Sequence, residues 1–381
     1  MAYQGWGPQG PNSPAGPGGP AGPNGPAAPQ GPYGGWGGAP GWGGWQPVPP
    51  PPKPGVIPLA PLRLSDIYNG AFSTLGRYAK PLSGVMGAAL VATLAVAAGA
   101  LALVYAFARD DWERVASTGD PTWSELRSLL LAVVVGYLVF GLLSVVINAF
   151  LTAAAPVVLE TAVLGRRTTF GAVWRRAWSR TPSVLGVLAL AYLLMLIPSA
   201  LWLVPSFSTS ASAEPADLGT LLVFGLLTLA LMPLVAWLYV SISMAPAAAV
   251  LESAGPLTAL KRSFRLVRGT WWRTCGILLL TVLMLGAVGW TVQIPLLFLM
   301  PQPDYAAALD PYTSTGELYA DMYGHLVPDL WLWLGVTFAV LAVLQMLFTV
   351  FTQLVSALVY IDQRIRREGL ADSLARAAGQ Q

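Results

Sequence analysis

VLESAGPLTALKRSFRLVRGTWWR, residues 250–273, holds the element on which the rest of the chain is patterned. Gly255-Pro256 reads as a helix start, since proline is tolerated in the first turn, and Gly269 reads as its end. Leu257, Leu260, Phe264 and Val267 fall on one helical face, with Lys261, Arg262, Arg265 and Arg268 on the adjoining face. Trp271, Trp272 and Arg273 follow, and then a long apolar run begins. A short basic amphipathic helix of this kind lies at a membrane surface, its apolar side in the acyl boundary and its cations among phosphates.

Two weaker copies precede it. Thr168–Arg180 places Phe170, Val173, Trp174, Ala177 and Trp178 at helical spacing beside Arg175, Arg176 and Arg180. Ser65–Lys80 places Ile67, Ala71, Leu75 and Tyr78 on one side and ends in Arg77 and Lys80. Each copy runs into an apolar hairpin. The expected architecture is therefore an all-α integral membrane protein of about six transmembrane helices in three tandem parallel repeats. Each repeat consists of a basic surface helix and a transmembrane hairpin.

Composition agrees with a membrane chain. Hydrophobic residues make up 55% and charged residues only 10%, against about a quarter charged in soluble domains. The single cysteine, Cys275, allows no disulfide framework within one chain. No cleavable leader is evident, so the first span is expected to serve as the targeting signal. Residues 1–54 hold 16 Pro and 16 Gly, with Pro at every third position from Pro8 to Pro32. Ser13 and Ala28 stand where only Gly fits a collagen axis, which favours a disordered, partly polyproline-II tail. Such a tail, with Trp36, Trp42 and Trp45 in its Gly-rich part, is a candidate binding segment for protein partners.

Six apolar stretches near 84–108, 128–152, 184–205, 220–244, 276–300 and 331–357 approach the ~20 residues that cross the hydrocarbon. The connections between hairpins are rich in Arg and the loops within them in acids. Of 21 basic residues, 18 fall on the side of the termini and three, Arg109, Arg114 and Arg127, on the other. The positive-inside rule then puts both termini in the cytoplasm of a multi-pass cell-membrane protein. The expected organisation is a tail at 1–54, a membrane domain at 55–365 and a short cytoplasmic tail at 366–381. The repeats run over about 62–157, 165–250 and 255–362.

Candidate functional residues fall into four groups. Arg175, Arg176, Arg180, Lys261, Arg262, Arg265 and Arg268 are candidates for anionic headgroup contact, with Trp174, Trp178, Trp271 and Trp272 as interfacial anchors. Glu160, Glu252 and Asp362 recur at the inner end of each repeat. They are either structural partners of the neighbouring arginines or a ring of acids binding a proton or cation, and the first reading is favoured. Asn148, Gln293, Gln345, Thr349 and Gln353 are polar residues in spans, which line a solute path or bond between helices. Pro198, Pro233 and Pro295 are expected to kink their spans.

Enzymatic constellations are missing from the sequence. With one His, His325, and one Cys, no His/Cys zinc site can be assembled, and no phosphate-binding Gly-rich motif opens a helix. The acids of the 301–330 loop, Asp304 to Asp329, read as a solvated loop before a divalent-cation site. No catalytic residue, cofactor, metal or nucleic-acid partner is expected.

Three motifs resemble a family of actinobacterial membrane proteins. They are Gly55-Val56-Ile57-Pro58-Leu59 with Leu64-Ser65-Asp66-Ile67-Tyr68-Asn69-Gly70-Ala71-Phe72; Val250-Leu251-Glu252 with Ala259 to Gly269; and Tyr360-Ile361-Asp362-Gln363-Arg364-Ile365-Arg366-Arg367-Glu368-Gly369-Leu370. The family is usually described as having the membrane domain of glycerophosphoryl diester phosphodiesterases, and the resemblance covers roughly 55–375. Their catalytic domain is a separate soluble barrel, for which this chain has no residues left. The resemblance thus implies a multispanning module without that activity. A non-enzymatic scaffold or lipid-contacting module at the cytoplasmic leaflet is the expected function. A transporter or channel for a lipid-related or small solute is the alternative.

Overall fold

The computed structural model describes residues 55–58, 60–118, 122–211, 218–302 and 326–369. The expected disordered tail at 1–54 and most of the acidic loop at 301–330 lie outside the described residues. Within them the chain is all-helical: α1 Leu64–Arg77, α2 Ala79–Thr118, α3 Trp123–Val163, α4 Phe170–Ala211, α5 Leu218–Ile242, α6 Ala245–Leu251, α7 Pro256–Val267, α8 Trp271–Phe298 and α9 Leu326–Glu368. Six helices, α2, α3, α4, α5 with α6, α8 and α9, supply segments long and apolar enough to cross a membrane. The architecture is that of a multi-pass membrane protein.

The helices outrun the apolar stretches. At 1.5 Å per residue the 40 residues of α2 extend roughly 60 Å, about twice the hydrocarbon thickness. The second surface helix is not a separate element, because Thr168–Arg180 joins the following span in the continuous helix α4. Only α1 and α7 are set off from their spans, at Tyr78 and at Arg268–Thr270. Gly269 makes the second break with φ +89°, in the left-handed region that glycine alone enters at little cost. The two Ala-Pro steps also differ: Pro156 remains inside α3, whereas Pro246 sits in the first turn of α6. Helices α5 and α8 run through Pro233 and Pro295.

Burial is concentrated at one end. Every residue is buried over Ala149–Leu159 of α3, Met244–Val250 around α6 and Leu354–Gln363 of α9. These are the closing segments of the three hairpins, and they pack on one another. Alanines at 153–155, 245 and 247–249 let the backbones approach closely. Around this centre the amphipathic segments are arranged in a ring. The start of α4 covers α3, α7 covers α6, and α1 covers α9. The first segment, with no hairpin before it, thereby takes the place on the last hairpin. Beyond this basic end most side chains are exposed, as on Leu130, Leu142, Leu226, Leu283 and Leu332.

Candidate functional site

The basic end is held by two ion-pair knots. In the first, Asp362 has no solvent exposure and accepts from the Leu62 backbone N–H at 2.8 Å, Arg273 at 2.8 Å and Arg366 Nε at 2.9 Å. Both arginines also donate to the Leu62 carbonyl, at 2.7 and 2.9 Å. Every partner thus bonds at least two others, which is what a buried charge requires. In the second, Glu252 pairs with Arg262 at 2.5 Å and Arg364 at 3.4 Å and accepts from the Tyr360 hydroxyl. Arg262 reaches Glu368 as well, at 2.9 Å. Burial works against the Arg262 charge, but Tyr360 and Glu252 outweigh it and hold the guanidinium pKa above its ordinary value.

Each recurring carboxylate therefore faces arginine, though at different depths. Glu160 meets Arg176 at 2.6 Å, with both side chains well exposed. The chain preceding α1 is part of the same end. Val56 N–H donates to Ala162 O at 3.2 Å, and a Cβ on Gly55 would lie 2.1 Å from that oxygen. Arg367 donates to the carbonyls of Arg265 and Arg268, at 3.3 and 2.7 Å, closing the C-terminus of α7. These contacts explain why α9 continues to Glu368, three residues into the stretch expected to be tail.

Helix α7 presents a different face from the one its hydrophobic residues suggested. Ala259, Ser263, Leu266 and Val267 are buried, and Ser263 Oγ donates to Ser241 O at 2.7 Å. Leu257 is 61% exposed and shares the outer face with Lys261, Arg265 and Arg268. Small residues win the inner face because they bring the helix axes close. Arg262, expected among the headgroup contacts, is instead turned into the second knot. Lys261, Arg265 and Arg268 form no ion pair among the described residues. With Trp237, Phe264 and Trp271 they line a groove of about 730 Å³ between α5, α7 and the start of α8. The Trp271 indole N–H has no partner there.

The other anchors and cations are spread along the same end. Trp174 and Trp178 stack at 6.4 Å over Phe150, both partly exposed. Trp272 is 82% exposed and meets Trp271 edge-on at 4.7 Å. Arg175 is exposed, Arg176 holds Glu160, and Arg180 Nε is buried without a partner.

A second cavity, of about 500 Å³, lies between α2, α3, α8 and α9. It gathers Asn148, Gln293, Gln345 and Thr349, four of the five polar span residues singled out in the sequence, and adds Thr93 and Ser144. Gln353 is not among its walls; its Oε1 is buried without a partner elsewhere in α9. Phe140, Phe338 and Phe348 stand among the apolar residues of the lining, which has no charged side chain. Toward the basic end the neighbouring Phe150, Val350, Phe351 and Leu354 are buried core. Ser144 and Thr93 were missed in the sequence because one hydroxyl in an apolar helix is usually satisfied by its own backbone, as Thr93 is by Ala89 O at 2.9 Å.

Searches of the curated proteins and of the solved structures return no match to the chain. Residues 76–362 match a domain of unknown function, DUF7847. That span takes in every helix from α2 to the Asp362 knot, so the chain belongs to the DUF7847 family.

Proposed function

We propose that the protein is a non-enzymatic, multi-pass module that binds anionic lipid headgroups at its basic end. The observation carrying this is the groove beside α7, where Lys261, Arg265 and Arg268 have no counter-ion among the described residues and border three aromatic side chains. Arg262, one position away, is fully engaged with protein. Cations left unpaired beside Trp and Phe at a membrane boundary suit a phosphate above an acyl chain. The positive-inside count puts this groove on the cytoplasmic leaflet of the cell membrane, with the Pro/Gly-rich tail available to protein partners on that side. The resemblance of three motifs to the membrane domain of glycerophosphoryl diester phosphodiesterases supports this reading only as one of membrane architecture.

The test is lipid retention by the full chain in nanodiscs of mixed phosphatidylglycerol and phosphatidylcholine, read by native mass spectrometry. Phosphatidylglycerol should be retained preferentially, and the triple change Lys261→Gln, Arg265→Gln and Arg268→Gln should abolish the preference. Each cation contributes about 1 kcal/mol, so the triple variant loses a few kcal/mol of selectivity. Arg262→Gln should lower stability and leave the preference in place. Equal retention of both lipids by the native chain would sink the proposal. A second reading, passage of a lipid-related or small solute, is favoured by the polar cavity in the half of the bundle away from the basic end.

A further inference from the structure

The cavity between α2, α3, α8 and α9 carries more hydrogen-bonding capacity than the protein uses. Ser144 Oγ is buried with no partner among the described residues. Asn148 accepts a bond from Thr152 at 3.3 Å through Oδ1, and its amide donors meet no acceptor among them. The carboxamides of Gln293 and Gln345 make no hydrogen bond among the described residues. In hydrocarbon such groups are costly unless something meets them.

Position and surroundings narrow what can meet them. At 1.5 Å per residue Gln293 stands roughly 33 Å along α8 from Trp271, in the half of the bundle away from the basic end. Gln293 and Gln345 are exposed, and so are Trp290 and Leu297, one turn to either side of Gln293 on α8. A carboxamide set between exposed apolar side chains on one helix face meets lipid, so the mouth of the cavity opens sideways into the bilayer. With no charged side chain in the lining, an ion or ionised headgroup would enter uncompensated. The Phe side chains of the wall offer the apolar part of a ligand its contact.

From this arrangement we infer that the cavity is a binding site for a neutral amphiphile whose head carries several hydroxyl groups. Its head bonds Ser144, Asn148, Gln293 and Gln345, and its chain leaves through the lateral mouth. The site differs from the α7 groove in charge, in position along the bundle and, α8 apart, in the helices that build it. It uses the cavity of the second functional reading but requires binding, not passage.

The experiment uses the full chain in phosphatidylcholine nanodiscs with tritiated monooleoylglycerol as the probe. Saturable binding is expected. Methyl oleate, which has no hydroxyl, and oleyl phosphate, which is ionised, should each compete at least about tenfold less well. Ser144→Ala and Gln345→Leu should each weaken the probe several-fold with an unchanged thermal midpoint. The first removes one atom, so it folds even where the second does not. Unsaturable uptake, equal competition by methyl oleate, or native affinity in Ser144→Ala would overturn the inference and leave a water-filled or merely greasy crevice. Flux of the same probe across proteoliposomes is measured apart. Binding without flux ends the pathway reading and leaves the binding site standing.

Discussion

Arg273 in the first turn of α8 and Asp362 near the end of α9 meet at 2.8 Å, with the carboxylate wholly withdrawn from solvent. Removing the acid strands Arg273 and the Leu62 N–H together. Asp362→Ala should therefore destabilise the bundle by about 3–5 kcal/mol, the usual cost of breaking a buried pair. Thermal or denaturant unfolding in a fixed detergent measures it, and a loss below about 1 kcal/mol would show that the knot is not structural.

Glu160 and Arg176 supply the contrast, since both are well exposed at 2.6 Å. Glu160→Gln should cost no more than about 1 kcal/mol in the same assay. A loss as large as that of Asp362→Ala would mean that exposure is a poor guide at this end.

Glu252 and Arg262 should couple. Their single Gln variants and the double variant form a cycle in which the interaction is worth about 1–3 kcal/mol, since each is bonded to the other and to Tyr360. Strict additivity would contradict the geometry.

Gly55→Ala places a methyl 2.1 Å from one backbone carbonyl oxygen and 2.4 Å from the next, Val163 O. Backbone cannot swing aside as a side chain can, so a loss of about 2–3 kcal/mol is expected. Gly171→Ala meets nothing and is the control, expected within about 0.5 kcal/mol of the native chain.

Topology is tested by reporters. A fusion after Gln381 should be active in the cytoplasm and one within 109–127 on the opposite side, as 18 cations against three require. The reverse pattern would overturn the assignment of the α7 groove to the cytoplasmic leaflet.

What was readable in the sequence followed from periodicity and charge. The six apolar runs, the break at Gly269 and the pairing of basic and acidic clusters all rest on patterns of neighbouring residues. The inner face of α7 was not readable, because Ala259 and Ser263 carry little hydrophobic signal yet permit the closest approach. Arg262 could not be told from Arg265, since Glu252, ten positions before it, could serve either, and its other partners Glu368 and Tyr360 lie about a hundred positions away. Gln353 was grouped with Gln345 and Thr349 by spacing along one helix, whereas the cavity depends on where α2, α3 and α8 stand. The alanine runs at 153–155 and 247–249 were the available sign of the buried centre.

The Leu62 N–H finds its acceptor, Asp362, 300 residues further along. Synthesis runs from the N-terminus, so α1 is made and α2 enters the bilayer long before that acceptor exists. The same delay applies to the Leu62 carbonyl, whose donors are Arg273 and Arg366. The first two hairpins must therefore wait in the membrane with the start of the chain joined to α3 through Val56 and Ala162 but not yet to Asp362, until the last turns of α9 clasp it. A ribosome halted before α9 would leave behind a protein inserted to that point whose Leu62 still lacks Asp362 and Arg366.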